Sequence, residues 1–508
     1  MPKIRTKFIL ALDVGTHSIK AALFDKSGEM VACQKISQNN EVPTAGWVEK
    51  DPEELWNSII HLITTFLAEQ KITKFQIACL VFATQMCGSV VVDMNGSPIG
   101  ACILCSDNRS APTLRKAIAG RISFFGGYGP MRLLEWLIRS NGAPDLSGRD
   151  TFSKHLWQKQ KCQHDNKAVR FYLDIKDYLL FKCSNLAITS PDVAHFTWLC
   201  DYKKQNWSHR LMAKYDFDIA KLPKIKPAMS LVESGLCRDA VEALGLGEFT
   251  SLAVGSSDVV ANAVGTSVSH GFGPHIYLGT SSWLAAHVNK SRVLPRFNIA
   301  TINSPMSGKH LLIGAQENAG SMLEQIASII GLSGGVKELV KIAENSPAGS
   351  NDVMCLPWLV GERAPKNASE PRGGILNIKN NTTIDDIARA AIEALAYNQL
   401  WLAKYFAKAC DFSKHTKIPV SGGLANSELI LQTLADTFQM KIVRVRDPQW
   451  VGVKGAFYCA AVAIGWSDKL EPMTSETNID EVFNPNAACR AVHQRRFTSF
   501  CNFFDTIT

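Results

Sequence analysis

A strand, a Gly-Thr turn and a second strand follow one another at two places in this chain. The first copy is centred on Gly15 and Thr16, and the second on Gly279 and Thr280. The copies are separated by about half of the 508 residues, which predicts two similar domains that face each other. Because glycine has no Cβ, such a turn lets backbone N–H groups approach an anion closely. Two turns of this kind predict a polyphosphate held from both sides.

The domain boundary is predicted where the order of elements begins to repeat. An apolar stretch over 252–254 ends in small residues and Asp258, and a helical pattern follows it. We therefore expect a first domain over residues 1–254 and a second over 255–508. Strands and amphipathic helices alternate on both sides of this boundary, which is typical of an α/β fold.

Composition narrows the class of protein. Apolar residues make up 46% of the chain, yet none of their runs reaches the 18 or so residues that span a bilayer. The fourteen cysteines are too dilute for a disulfide scaffold and indicate reduced thiols. The net charge of +8 is mild and is not gathered into a basic tract. We expect a cytoplasmic protein that binds neither nucleic acid nor membrane.

Local patterns predict several elements around the first turn. Asp51 and Pro52 are typical of a helix start, as N-cap and first helical residue. The strand at 77–83 is followed by a hairpin with arms at 89–92 and 99–104. We expect that hairpin to share a sheet with the strand that precedes it.

Several short segments, spread over nearly the whole chain, form an ordered set. In chain order they are Asp13–Lys20, Gly46–Pro52, Asp107–Ser110, Asp258, Leu278–Ser281, Gly361–Pro365 and Ser421–Gly423. Together they resemble the FGGY family of carbohydrate kinases, and within it the xylulokinases. Each segment alone is weak, but the ordered set is specific. The resemblance implies two actin-like (ribonuclease-H-like) ATPase domains with an interdomain active-site cleft for ATP, Mg²⁺ and a small sugar or polyol. It also suggests a homodimer.

The resemblance assigns roles on the nucleotide side. The residues implied to contact ATP or its phosphates are Asp13, Gly15, Thr16, Ser18, Lys20, Gly279, Thr280, Ser281, Gly320, Gly422, Gly423 and Asn426. Asp13 would orient Mg²⁺ through water. Lys20 could add positive charge there or be a solvated strand lysine, and the glycines at 422 and 423 could serve the purine or simply a turn. Leu424 stands where the family's adenosine segment usually has a third glycine.

The resemblance also assigns a catalytic base and a substrate segment. Asp258 would accept the proton of the sugar hydroxyl, although an aspartate before a helix is also a common N-cap. The residues implied to contact substrate are Gln85, Met86, Cys87, Asp107 and Asp258. A ketopentose such as xylulose or ribulose is the favoured substrate. Gluconate, glycerol, another polyol and a non-catalytic sugar-binding regulator stay open, as does an ATP-driven switch of the actin or chaperone type.

Three positions on the substrate side depart from the xylulokinase pattern. Cys87 replaces a histidine, Cys105 stands in place of a tryptophan, and Val259 replaces an asparagine. Cys102 and Cys105 also form a single Cys-x-x-Cys, which could bind metal or act in redox chemistry, but without a second pair it favours structural thiols. We hypothesise that oxidation of these thiols would block the sugar pocket.

Overall fold

The computed structural model describes residues 7–120, 127–161, 169–267, 272–368, 370–470 and 479–506. The described residues form two compact units. The first unit draws on Met1–Gly265, Ile302–Lys309 and Gly452–Thr474, and the second on Thr266–Thr301, His310–Val451 and Ser475–Thr508. None of the helices in these described ranges is both long enough and apolar enough to span a membrane.

Up to residue 267 the chain alternates short and long elements. The strands are β1 Phe8–Val14, β2 Ser18–Asp25, β3 Met30–Ser37, β4 Glu49–Lys50, β5 Ile77–Thr84, β6 Val90–Asp93, β7 Cys102–Ile103, β8 Val169–Leu173, β9 Ile188–Thr189, β10 Cys200–Asp201, β11 Asn206–Trp207, β12 Lys224–Ile225, β13 Ser251–Leu252 and β14 Ser256–Ser257. The helices are α1 Pro52–Glu69, α2 Ala111–Ile118, α3 Pro130–Ser140, α4 Thr151–Lys161, α5 Ile175–Ser184, α6 Pro191–His195, α7 His209–Lys214, α8 Arg238–Leu244 and α9 Asp258–Ser267.

After residue 267 the elements are longer on average. The strands are β15 His275–Leu278, β16 Ser282–Val288, β17 Val293–Leu294, β18 Ile299–Asn303, β19 His310–Gln316, β20 Met354–Leu356, β21 Gly374–Leu376, β22 Lys417–Ser421, β23 Lys441–Val445 and β24 Ile479–Phe483. The helices are α10 Gly320–Ile329, α11 Gly335–Ala343, α12 Ile384–Phe406, α13 Glu428–Phe438, α14 Val451–Ala463 and α15 Arg490–Thr506.

Each unit is built on a mixed sheet, and the two sheets share one topology. In the first unit the order is β13-β5-β1-β2-β3, with β1, β2 and β3 antiparallel and β1, β5 and β13 parallel. In the second unit β23-β22-β15-β16-β19 repeat this order and these directions. The predicted α/β class and the predicted duplication are therefore confirmed by the strand pairing.

Burial explains why these residues form the two sheets. β1 and β5 are buried on both faces and read as nearly continuous apolar runs, as parallel strands covered by helices do. β3 lies at the sheet edge and alternates half-buried with exposed residues. α1 begins as predicted, because the Asp51 side chain accepts the N–H of Glu53 and Pro52 occupies the first turn.

The boundary between the compact units differs from the predicted division at residues 254 and 255. α9 lies almost entirely in the first unit, and the later segment 452–470 packs with the first unit as well. The ring of Phe457 in α14 stacks on Phe24 in β2, with centroids 4.6 Å apart. One boundary in the sequence cannot define the first unit, because α14 belongs to it although it lies about 190 residues after α9 in the sequence.

The hairpin predicted after β5 is only partly present. Its turn forms, with the N–H of Gly96 donating to the carbonyl of Asp93, but β6 pairs mainly with β8 and β7 pairs with β4. The prediction that Cys102 and Cys105 share a sheet with the strand before Cys87 is therefore wrong. β8 is far away in sequence, and its pairing with β6 leaves no local signal.

Candidate active site

Three neighbouring parallel strands of the first unit end at the same level. Val14 at the end of β1 and Ser257 at the end of β14 both pair with Thr84 at the end of β5. The chain then leaves the sheet side by side at Gly15, Gln85 and Asp258. Ligands of open α/β sheets bind outside the carboxyl ends of the strands, so this edge is the candidate site of the first unit.

Asp258 is the first residue of α9 and is partly buried. Its Oδ1 accepts the N–H of Val259 at 2.8 Å, while the Ser257 hydroxyl accepts the N–H of Val260 at 3.4 Å. Asp192 holds the preceding backbone by accepting the N–H of Ser257 at 2.7 Å. Ser257 thus fills the capping position that Asp258 was a candidate for, and the Asp258 carboxylate is not needed for that role.

The Asp258 carboxyl has a strongly perturbed acidity. Burial, followed by the negative charge of Asp13, raises the pKa of Asp258 from 3.8 to about 7. The N–H of Val259 and the charge of Lys20 act in the opposite direction. A carboxyl with a pKa near 7 is a much better proton acceptor than an ordinary aspartate, which is the property a general base needs.

Lys20 is paired with Asp13 across the first two strands. The two residues are register partners on β2 and β1, and Lys20 Nζ lies 3.2 Å from Asp13 Oδ2. The Lys20 side chain is only 16% exposed, so the alternative of a solvated strand lysine is wrong. Lys20 neutralises the charge of Asp13. When Asp13 and Asp258 are both ionised, the three side chains together therefore carry one negative charge.

A glycine of α14 lies directly beside the Asp13 carboxylate. A Cβ at Gly452 would lie 2.5 Å from Asp13 Oδ2 and 2.8 Å from its Cγ, so a larger residue there would press on this carboxylate. Mg²⁺ prefers carboxylate and water oxygens, and it usually uses one or two protein carboxylates. The oxygens of Asp13 and the excess negative charge fit such an ion.

The first turn and the substrate segment are joined by Gln85. Its N–H donates to the carbonyl of Val14 at 2.8 Å, and its Oε1 accepts the Thr16 hydroxyl at 2.8 Å. Cys105 Sγ lies 3.8 Å from the same Oε1. The bonds to Val14 and Thr16 therefore orient Gln85. The thiol of Cys105 also contacts Gln85, although β7, the strand before Cys105, belongs to another sheet. Gly15 closes the turn by donating its N–H to Ser18 at 3.0 Å.

Met86 and Cys87 follow Gln85 and are both half-buried. Cys87 adopts a left-handed backbone, with φ of 63°, and its carbonyl accepts the ammonium of Lys154 at 2.5 Å. Lys154 is fully buried in α4, also donates to the carbonyl of Arg149, and has a pKa lowered by burial. The sequence analysis missed Lys154, because a lysine in a helix gives no signal of burial.

Asp107 is completely buried, unlike a side chain open to substrate. Its carboxylate accepts the N–H of Val48 at 2.6 Å and the guanidinium of Arg109, whose other partner is Glu49 at 2.7 Å. The guanidinium carbon of Arg109 also lies 3.8 Å from the ring centroid of Trp47. Asp107 thus positions Arg109 and Trp47, which differs from the prediction of a direct substrate contact.

The second unit contains the other Gly-Thr turn. The N–H of Gly279 donates to the carbonyl of Ser281 at 2.9 Å, so this turn closes two residues on, whereas the first closes three residues on, from Gly15 to Ser18. Thr280 is exposed, and the N–H of Gly320 at the start of α10 donates to the carbonyl of Gly279 at 3.0 Å. A Cβ at Gly320 would lie 2.7 Å from that same carbonyl oxygen. The turn at Gly279 and the first residue of α10 are therefore in direct backbone contact.

The two glycines after β22 have different surroundings. Gly422 has a φ of +94°, and a Cβ there would lie 2.2 Å from the carbonyl oxygen of Leu278. Gly423 has no positive φ, and a Cβ there would meet no atom within 4 Å. Turn geometry therefore accounts for Gly422 alone. Asn426 Nδ2 donates to the carbonyl of Gly423 at 3.1 Å, and Leu424 packs against the hydrophobic core of this unit.

Comparisons with known proteins agree with this layout. The sequence model described as "FGGY family of carbohydrate kinases, N-terminal domain" matches residues 8–265, and the model of the C-terminal domain matches residues 275–464. The xylulose kinase of Staphylococcus xylosus is 26% identical over 468 residues, covering 92% of this chain and 93% of its own. The gluconokinase of Bacillus subtilis (strain 168) is 24% identical over 484 residues, covering 92% and 90%.

A solved structure has the same fold. The ligand-bound xylulose kinase from Lactobacillus acidophilus superposes with a TM-score of 0.85 at 23% sequence identity, covering 98% of each chain. This likeness extends over both units and therefore supports the two-domain architecture.

Proposed function

The chain belongs to the FGGY family of carbohydrate kinases, and from this premise we propose that it transfers a phosphoryl group from ATP to a hydroxyl of a ketopentose such as xylulose or ribulose. The single observation that carries the proposal is the Asp258 carboxyl. Its pKa is about 7, and the charges of Asp13 and Lys20 act on it.

In the proposed reaction Asp258 is the general base. The sugar hydroxyl oxygen attacks the γ-phosphorus, the bond to the β–γ bridging oxygen breaks, and ADP leaves. The hydroxyl proton passes to the Asp258 carboxylate, which is ionised above a pH of about 7. Because Ser257 caps α9, the Asp258 carboxylate stays available for the proton.

Asp13 and Lys20 set the charge around the transferred group. We assign Asp13 to the hydration shell of Mg²⁺, which would neutralise charge on the phosphates. Lys20 stands 3.2 Å from Asp13 and offers a positive charge to phosphate oxygens. The N–H groups of the turn at Gly15 and Thr16 add hydrogen-bond donors without side-chain obstruction at Gly15.

The charges of the first unit favour a neutral sugar over an acid sugar. A carboxylate substrate such as gluconate needs a cation that is not already neutralised. Lys20 is paired with Asp13 and is assigned to the phosphates, and Arg109 is paired with both Asp107 and Glu49, so neither cation is left for a substrate carboxylate. The network around Gln85 offers neutral amide, hydroxyl and thiol groups instead. Xylulose kinases are also among the relatives that match nearly the full length of this chain.

A substrate panel tests the function directly. We expect ADP release with MgATP and xylulose or ribulose to exceed that with gluconate or glycerol by roughly tenfold or more in kcat/KM, because polar groups matched to one sugar reject others. The measurement is a coupled ADP assay on the purified chain.

The other outcomes of the panel separate the alternatives. A response led by gluconate would overturn the neutral-sugar assignment and keep the kinase. No response from folded protein that still binds ATP would overturn the kinase activity and favour a sugar-binding regulator.

The proposed adenosine site predicts a nucleotide-specific variant. Gly423→Leu places a side chain in open space next to the second turn, so the fold tolerates it. We expect the Kd of ATP to rise about tenfold or more, since a purine lying on Gly423 would lose its place, while Tm stays unchanged. Calorimetric titration with ATP measures this effect.

Gly374→Leu is the matched control for the nucleotide variant. A Cβ at Gly374 also meets no atom within 4 Å, yet this residue lies in β21. The control is expected to keep the wild-type Kd of ATP. Equal ATP affinity in Gly423→Leu and Gly374→Leu would show that the purine does not lie on Gly423.

A further inference from the structure

Three side chains with metal-binding atoms converge in the second unit, and none of them belongs to the proposed ATP or sugar site. They are Asp436 in α13, Cys489 just before α15 and His493 in the first turn of α15. Their ligand atoms all lie within 4.8 Å of one another. Asp436 and His493 are 4% and 2% exposed, and Cys489 is half-buried. One carboxylate, one thiol and one imidazole thus form a cluster in which the cysteine is the most exposed member.

His493 has one satisfied ring nitrogen and one that lacks a partner. Nδ1 lies 2.9 Å from the Tyr397 hydroxyl, whereas Nε2 is buried without a hydrogen-bond partner. A buried polar atom left unpaired costs stability, so such an atom calls for an explanation. When Nδ1 carries the proton and donates to Tyr397, Nε2 keeps a lone pair that can bind a metal ion.

The carboxylate of Asp436 is held in place from one side. Its Oδ1 accepts the N–H of Asn486 at 2.7 Å and the Nε2 amide of Gln432 at 2.8 Å. Both bonds fall on the same oxygen and fix the plane of the carboxylate. This arrangement resembles the supporting hydrogen bonds that orient carboxylate ligands in metal sites.

We propose that Asp436, Cys489 and His493 bind one divalent cation of the zinc type. Zinc accepts oxygen, nitrogen and sulfur ligands in a tetrahedral arrangement, whereas Mg²⁺ and Ca²⁺ take oxygen ligands. On binding, the Cys489 thiol releases its proton to solvent and the thiolate coordinates the ion. Water supplies the fourth ligand from the side of Cys489, the most exposed of the three residues. The carboxylate and the thiolate together neutralise the charge of the ion.

The nearby cations do not oppose this site strongly. Arg389 and Arg496 contribute to lowering the pKa of His493, after burial as the main cause. Both guanidinium groups are paired with Glu393, at 3.3 and 3.4 Å from its oxygens. Glu393 offsets one of these two positive charges, and the Asp436 carboxylate acts on the pKa of His493 in the opposite direction to the guanidinium groups. The ion would connect α13 to the start of α15 and fix the C-terminal helix.

The test is a zinc titration of the full chain after treatment with a chelator. We expect one equivalent of Zn²⁺ to bind in competition with a chromophoric chelator, and Co²⁺ to give a thiolate-to-cobalt charge-transfer band. Cys489→Ser is expected to remove that band and to weaken zinc binding by about tenfold or more. Tyr397→Phe, which removes the bond to Nδ1, is expected to weaken binding roughly ten- to a hundredfold.

The matched control is Cys501→Ser, which changes a half-buried cysteine on α15, the helix that begins directly after Cys489. This variant should keep the band and the wild-type zinc affinity. The absence of a thiolate band in the wild-type chain would overturn the proposal, as would equal zinc affinity in the wild type and in Cys489→Ser. Sugar-dependent ADP release should be the same in Cys489→Ser as in the wild type, so this test and that of the kinase fail independently.

Discussion

Replacing Asp258 with asparagine is expected to lower kcat by roughly 10²- to 10⁴-fold, the usual contribution of a general base. The amide has nearly the same shape but cannot accept the hydroxyl proton. ATP binding should persist, because the proposed nucleotide contacts belong to other residues. The measurement is sugar-dependent ADP release together with the Kd of ATP, and Asp239→Asn on the exposed surface of α8 is the matched control. A variant that retains wild-type kcat would refute the assignment.

The pH profile of the wild type supplies an independent readout of the same residue. A pKa of about 7 for Asp258 predicts that kcat/KM falls as the pH drops through 7, because the protonated carboxyl cannot act as a base. The residual activity of Asp258→Asn should lack this acidic limb. Lys20 lowers the pKa of Asp258, so Lys20→Gln should move the limb to higher pH.

Stability separates lost chemistry from lost folding in this variant. The pKa of Asp258 is higher in the folded chain than the usual value of about 3.9 in an unfolded one. The folded state therefore holds a proton that the unfolded state releases, and the wild type loses stability as the pH rises from about 4 to 7. Asp258→Asn avoids this cost. We expect it to raise Tm more at pH 8 than at pH 5, whereas a folding defect would lower Tm at both.

The sequence predicts most of the candidate site residues that lie at the ends of strands. Asp13 lies near the end of an apolar strand, Gln85 and Asp258 each directly follow a strand, and parallel strands bring their carboxyl ends to one edge of a sheet. The duplicated turn likewise predicts the shared topology of the two sheets. These features are local patterns, and a repeated local pattern is visible in one sequence.

Pairings between distant segments could not be predicted in this way. Lys154 donates to the carbonyl of Cys87, and Asp107 binds Arg109 and the N–H of Val48 instead of pointing at a substrate. Neither arrangement leaves a period or a motif in the sequence. The pKa of Asp258 depends in the same way on burial and on Asp13, which is 245 positions earlier in the printed sequence. Such properties belong to the packed chain.

Close packing between α9 and α14 is expected to make a methyl group at Gly455 destabilising. Gly455 in α14 faces α9, and a Cβ there would lie 1.8 Å from the carbonyl oxygen of Ala261 and 2.5 Å from its carbon. The obstacle is helix backbone, which cannot rotate away as a side chain does. The close approach of the two helices therefore requires glycine at this position.

Gly455→Ala is expected to destabilise the chain by about 1–3 kcal/mol or more, the usual cost of overpacking a core. Helix propensity alone predicts the opposite, since alanine is favoured over glycine by about 1 kcal/mol in a helix. The direction of the change in Tm thus decides which effect dominates. Gly374→Ala, at a position with open space, should leave Tm unchanged.

The same substitution should also lower kcat, although Gly455 touches no proposed ligand. α9 begins at Asp258, so a forced shift of its backbone moves the carboxyl that accepts the proton. Displacing a catalytic group by about 1 Å can cost on the order of a hundredfold in rate. Wild-type Tm and kcat in Gly455→Ala would mean that the contact between α9 and α14 does not position Asp258.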